Sequence, residues 1–118
     1  MKYLCLVYFE PSRLDAITGD AAVAFTNESL AYDESLMRDG SFIAAEALQS
    51  ADTAMTVRVR NGQISTTDGP FAETKEVLGG FILINAPDLI AAIRIAAGIP
   101  LARIGSIEVR PILAMHKT

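Results

Sequence analysis

The opening segment Tyr3-Leu4-Cys5-Leu6-Val7-Tyr8-Phe9 is apolar at every position. Side chains alternate across a strand, so a run apolar on both sets belongs to a sheet covered on both faces. No other feature constrains the fold as much. Helices can cover one face of such a sheet, and something further must cover the other. Glu10-Pro11-Ser12 ends the strand.

The rest of the chain reads in alternating periods. From about Asp20 to Asp39, Ala22, Phe25, Tyr32 and Leu36 recur at helical steps, and Gly40 stands where a left-handed cap belongs. Residues 41 to 46 read as a short strand. Thr53, Met55, Val57 and Val59 then alternate with Thr56, Arg58 and Arg60, and Asn61-Gly62 supplies a two-residue type I′ turn into a returning strand, Ile64 to Thr67. Asp68 to Val77 is polar, contains Gly69-Pro70 and reads as a loop. Leu78 to Asn85 is a strand. Pro87 opens a helix striped by Leu89, Ile93 and Ala96, which Gly98 and Pro100 end, and Ser106 to Arg110 is the last strand.

This order is β-α-β, a hairpin, then β-α-β. The expectation is an α+β, ferredoxin-like split βαβ domain with an inserted hairpin, one domain over residues 1–118. Both helices then lie on one sheet face. Two subunits packing sheet to sheet cover the other, forming a dimeric α+β barrel. Hydrophobic residues at 51% and charged residues at 20% agree with some apolar surface entering a subunit interface. A net charge of −4 with scattered Lys and Arg speaks against nucleic acid and against an anionic membrane surface. One cysteine precludes an internal disulfide, no run reaches the ~18 apolar residues of a membrane span, and the economical location is the cytoplasm.

The stretch Thr67-Asp68-Gly69-Pro70-Phe71-Ala72-Glu73-Thr74-Lys75-Glu76, followed by Leu78-Gly79-Gly80-Phe81, resembles the signature of the YCII-related, DGPF-domain family. Met1-Lys2-Tyr3, residues 56–62 and residues 106–111 match in the same order. The resemblance implies a dimeric α+β barrel. In the wider YCII group it implies a His-Asp pair in a pocket of some relatives, and dehydrochlorination of a chlorinated hydroxyquinol by one type. The only histidine here is His116, near the end of the chain, which departs from that pattern. Members of the DGPF group are often encoded beside extracytoplasmic-function sigma factors, which implies a regulatory or accessory role.

The candidate catalytic residues are Asp33 and Asp68. Asp33 falls at the edge of the apolar stripe of the first helix. There a carboxylate either stays solvated or lines a cavity and gains basicity through desolvation. Asp68, Gly69, Pro70, Phe71, Glu73, Thr74, Lys75 and Glu76 form either a rigid turn or a loop presenting ionisable groups to a small polar ligand. Arg110 either pairs with Glu108 or clamps a ligand carboxylate. Cys5 reads as a buried structural thiol. No Cys/His grouping, Gly-rich phosphate loop or Ser/His/acid set is present, so the reading assigns no metal and no cofactor. Three readings remain open: a small-molecule-binding domain with lyase-like acid/base chemistry, a non-enzymatic accessory protein with a sigma-factor-linked partner, and a purely structural dimer.

Overall fold

The computed structural model describes residues 1–115, so His116 lies outside the described residues. The strands are β1 (Lys2–Phe9), β2 (Phe42–Ala47), β3 (Met55–Arg60), β4 (Gln63–Asp68), β5 (Val77–Asn85) and β6 (Gly105–Pro111). The helices are α1 (Pro11–Asp15), α2 (Gly19–Asp39) and α3 (Leu89–Gly98), with single 3₁₀ turns at Ala51–Thr53 and Pro100–Arg103. Four strands form an antiparallel sheet in the order β2-β5-β1-β6, and β3 pairs only with β4. That order is the split βαβ arrangement, with the hairpin inserted between its second and third strands.

The core lies on one face of this sheet. Tyr3, Cys5 and Val7 of β1 point toward the helices, and Tyr3 and Cys5 pair with Ile84 and Ile82 of β5. Leu36 from α2 and Ala92, Ala96 and Ile99 from the α3 region close over them. Tyr32 ties the two helices together, because its hydroxyl donates to the Ile95 carbonyl at 2.6 Å. Gly98 makes room for that ring, since a Cβ there would overlap it. Gly40 ends α2 at φ 84°, its N–H donating to the Leu36 and Met37 carbonyls as a left-handed cap does.

The opposite face carries Leu4, Leu6 and Tyr8 of β1 and Phe81 and Leu83 of β5. On β6, Arg110, Glu108 and Ser106 stand beside Leu4, Leu6 and Tyr8. None of these belongs to the core cluster. The double apolar character of β1 therefore has a partner on one side only.

The hairpin turns at Asn61 (φ 52°) and Gly62 (φ 75°), both in the left-handed region that a type I′ turn requires. Its flanks differ from the sequence expectation at both ends: Thr53 lies in a 3₁₀ turn and the first strand begins at Met55, while the second runs from Gln63 to Asp68. The short helix α1 was not legible, since Glu10-Pro11-Ser12 reads equally as a strand stop. Pro87 lies just ahead of α3 instead of opening it. Asp88 is the N-cap, accepting from the Ala91 N–H at 2.8 Å. The expected stripe on α3 is also corrected. Ala92 and Ala96 face the core, while Leu89, Ile90 and Ile93 are exposed. Residues 89 to 97 are apolar except at Arg94, so periodicity selects no face. The small alanines win because they let the helix lie close against the sheet.

Candidate functional site

Two hollows flank the amino-terminal half of β5, on different sides of the residues that open it. The first, about 290 Å³, lies between α2 and the sheet. Asp33 and Tyr32 line it from α2, Gly79 and Gly80 from β5, Glu46 from β2, and Pro100 from the turn after α3. The paired glycines keep this part of β5 free of side chains. A Cβ on Gly80 would stand 2.7 Å from the Glu46 carbonyl oxygen, so the close approach of β2 and β5 depends on a glycine there.

Asp33 is half-buried and accepts no hydrogen bond among the described residues. Ser29, one turn earlier, is already committed, its hydroxyl donating to the Phe25 carbonyl at 3.1 Å. Burial pushes the Asp33 carboxyl above the ordinary aspartate range. A carboxylate without a fixed partner, partly withdrawn from water and facing a hollow, is suited to accept a proton from a bound molecule. Tyr32 beside it also titrates high, mainly through burial, with smaller contributions from the charges of Asp39, Cys5 and Asp33.

The second hollow is larger, about 730 Å³, and sits at the base of the hairpin. Tyr8, Met55, Phe71 and Leu78 are its principal apolar walls, with Thr56 and Thr74 supplying hydroxyls. Among the described residues no charged side chain lines it. The DGPF loop shapes this hollow through its backbone anchors. The Gly69 N–H (φ 95°) donates to the Ala54 carbonyl at 2.7 Å, and the Thr56 hydroxyl donates to the Gly69 carbonyl at 2.8 Å. These two bonds pin the loop to β3 and swing Pro70 and Phe71 over the opening.

The candidate residues therefore divide. Pro70, Phe71 and Thr74 line the large hollow, while Asp68, Gly69, Glu73, Lys75 and Glu76 do not. Asp68 ends β4 with its side chain exposed. Lys75 reaches Glu10 at 4.0 Å, and Glu76 accepts from the Ser106 hydroxyl at 2.7 Å. Arg110 pairs with Glu108, two residues away on the same face of β6, at 2.5 Å. Asp33 and the loop occupy separate hollows, although Val77 to Gly79 run between them along a third, smaller one of about 250 Å³. Tyr8, Leu48 and Met55 were missed as lining residues. Only Tyr8 carried a signal, as the one hydroxyl on the second face of the first strand. Among the described residues no group of three His, Cys, Asp or Glu side chains is placed to hold a metal.

The YCII-related domain family matches residues 1–116. An uncharacterised protein of Rhizobium meliloti (strain 1021) is 34% identical over 119 residues, covering 99% of this chain and 95% of the relative. Among solved structures, the 5-chloro-2-hydroxyhydroquinone dehydrochlorinase of Burkholderia phenoliruptrix AC1100, in complex with 2,5-dihydroxybenzoquinone, superposes with a TM-score of 0.58. It is 15% identical, with 96% of this chain and 94% of that one covered, a likeness of fold.

Proposed function

This chain belongs to the YCII-related domain family, and from that premise we propose that it binds a small hydroxylated ring compound beside Asp33 and acts on it as a lyase. The observation that carries the proposal is the half-buried Asp33 carboxylate, without a hydrogen-bond partner among the described residues and facing a hollow. The solved relative of the same fold is a dehydrochlorinase caught with a dihydroxybenzoquinone. A reaction of that class removes one proton and one halide. Asp33 takes the proton, and the halide leaves with the bonding electron pair. Desolvation raises the basicity of the carboxylate and so favours the transfer.

The protein works, on this reading, as a cytoplasmic homodimer joined through the uncovered sheet faces. A second reading, an accessory protein bound to a protein partner, draws on one observation: Leu89, Ile90 and Ile93 form an exposed apolar face on α3.

Calorimetric titration with 2,5-dihydroxybenzoquinone tests the proposal. Binding to the wild type, weakened at least tenfold in Asp33→Asn with unchanged melting, supports it. Equal affinity in the two proteins removes Asp33 from the site and sinks the proposal.

A further inference from the structure

The hairpin is the least satisfied part of the molecule. Every residue of β4 is exposed, as is all of β3 except Thr56. Met55, Val57, Val59 and Ile64 share one hairpin face, since residues directly opposite in an antiparallel pair point the same way. Val57 is 60% exposed and Ile64 75%. An isolated two-stranded hairpin is marginal in water and needs a layer against its apolar face.

That face and the uncovered face of the main sheet open onto the same hollow. Met55 comes from the hairpin face and Tyr8 from the sheet face, and both line the 730 Å³ hollow. The molecule is correspondingly flat, with extents of 48 × 47 × 18 Å. Its radius of gyration is 16.5 Å, against about 13.5 Å for a compact chain of this length.

The area agrees with a second copy of the chain as the occupant. A four-stranded sheet seven residues long presents about 450 Å² in projection, from a strand spacing of ~4.8 Å and a rise of ~3.4 Å. A stable interface takes about 800 Å² from each partner. The hairpin contributes about 200 Å² more on the same spacings, bringing the two surfaces together close to that requirement. A two-fold pairing of this chain covers both surfaces in both copies at once.

We infer that the hollow at the hairpin base is a binding site for a neutral, largely apolar ligand, closed by a second copy of the chain that the hairpin arm grips. The inference rests on the sheet-to-sheet dimer proposed above and adds to it the arm and the site. The ligand class follows from the lining. Among the described residues no charged side chain of the chain itself stands in the walls, so a charged ligand gains nothing from them for the hydration it loses. The Tyr8 hydroxyl, with the Thr56 and Thr74 oxygens as acceptors only because their protons go to the Gly69 and Glu76 carbonyls, serves a few neutral polar atoms, and the volume suits a molecule of two or three rings. This site is distinct from the Asp33 hollow, which shares no lining residue with it.

The test follows dimer fraction by analytical ultracentrifugation, and binding by the fluorescence of the neutral dye N-phenyl-1-naphthylamine, across one dilution series. In the wild type, dye fluorescence falls in step with the dimer. Val57→Glu, at a position already exposed, weakens dimerisation at least tenfold and removes the dye signal while circular dichroism is unchanged. Val59→Glu repeats the test should the first variant fold poorly. A dimeric wild type with a Val57→Glu variant of equal affinity overturns the arm and leaves the sheet dimer standing. Dye binding that is absent, or that persists unchanged in monomer, overturns the site. A monomeric wild type overturns both inferences.

Discussion

Asp33 and Cys5 are both withdrawn from water, yet they differ in what burial does for them. Cys5 is 0% exposed in the centre of β1, and burial pushes its thiol up to about 11. The thiolate is the reactive form, so native protein at pH 8 resists iodoacetamide and labels rapidly once unfolded. Rapid labelling of the native state would contradict the packing of β1. Asp33 sits at the rim of a hollow, where its raised pKa is a consequence for stability as well as chemistry. The folded state holds the Asp33 proton more tightly than the unfolded chain does. The Asp33 contribution to stability is therefore fully present below the ordinary aspartate range and is lost as pH rises through the higher folded value, opposite in sign to those of Glu28 and Asp39, whose carboxyls are held low by Arg103 and Ser41. Melting temperatures measured across that window should fall more, or rise less, with pH in the wild type than in Asp33→Asn. A decline of equal size in both proteins assigns the effect to other carboxylates. The two residues differed in legibility for the same reason. Cys5 is surrounded in sequence by apolar neighbours and has one plausible fate, whereas Asp33 lies at a stripe edge whose exposure depends on how far β5 stands from α2.

Elements were legible where local chemistry and tertiary packing agree. The Asn61-Gly62 turn and the Gly40 cap are backbone requirements written directly in residue type. The start and facing of α3 were not, because a run of nearly uniform apolar residues has no direction of its own. Asp88 supplies the cap, and Pro87, expected in the first turn, precedes it. Asp88→Ala should lower stability by about 1 kcal/mol in denaturant melts, the usual cost of losing such a cap. A Pro87→Ala variant that is destabilised more than Asp88→Ala reverses that assignment. The glycines of β5 belong to the same scale. Gly80→Ala drives a methyl into the Glu46 carbonyl and should cost about 1–3 kcal/mol, as overpacking does. A neutral result would mean that β2 and β5 separate freely there.

At the scale of the whole molecule, the governing fact is an apolar sheet face with no cover in the single chain. Leu4, Leu6, Phe81 and Leu83 stand on it beside the paired Glu108 and Arg110. Leu6→Glu places a charge at its centre without touching the helix-side core. Size-exclusion chromatography with light scattering should report a dimer for the wild type and a monomer for Leu6→Glu. A wild type that elutes as a monomer at tens of micromolar removes the barrel.

The amino-acid sequence by itself determined the order of the six strands and the two longer helices, the hairpin and its turn, and the buried cysteine, and it predicted a cover for both sheet faces. Each of these depends on contacts within a few residues or on simple alternation. Only the tertiary structure decided that Asp33 faces one hollow while Pro70, Phe71 and Thr74 line another, and that the charged groups of the same loop line neither. It also decided that Arg110 spends its charge on Glu108. Those outcomes depend on how β5 passes between α2 and the hairpin. A path of that kind is fixed by long-range packing of small residues, which leaves no periodic trace along the chain.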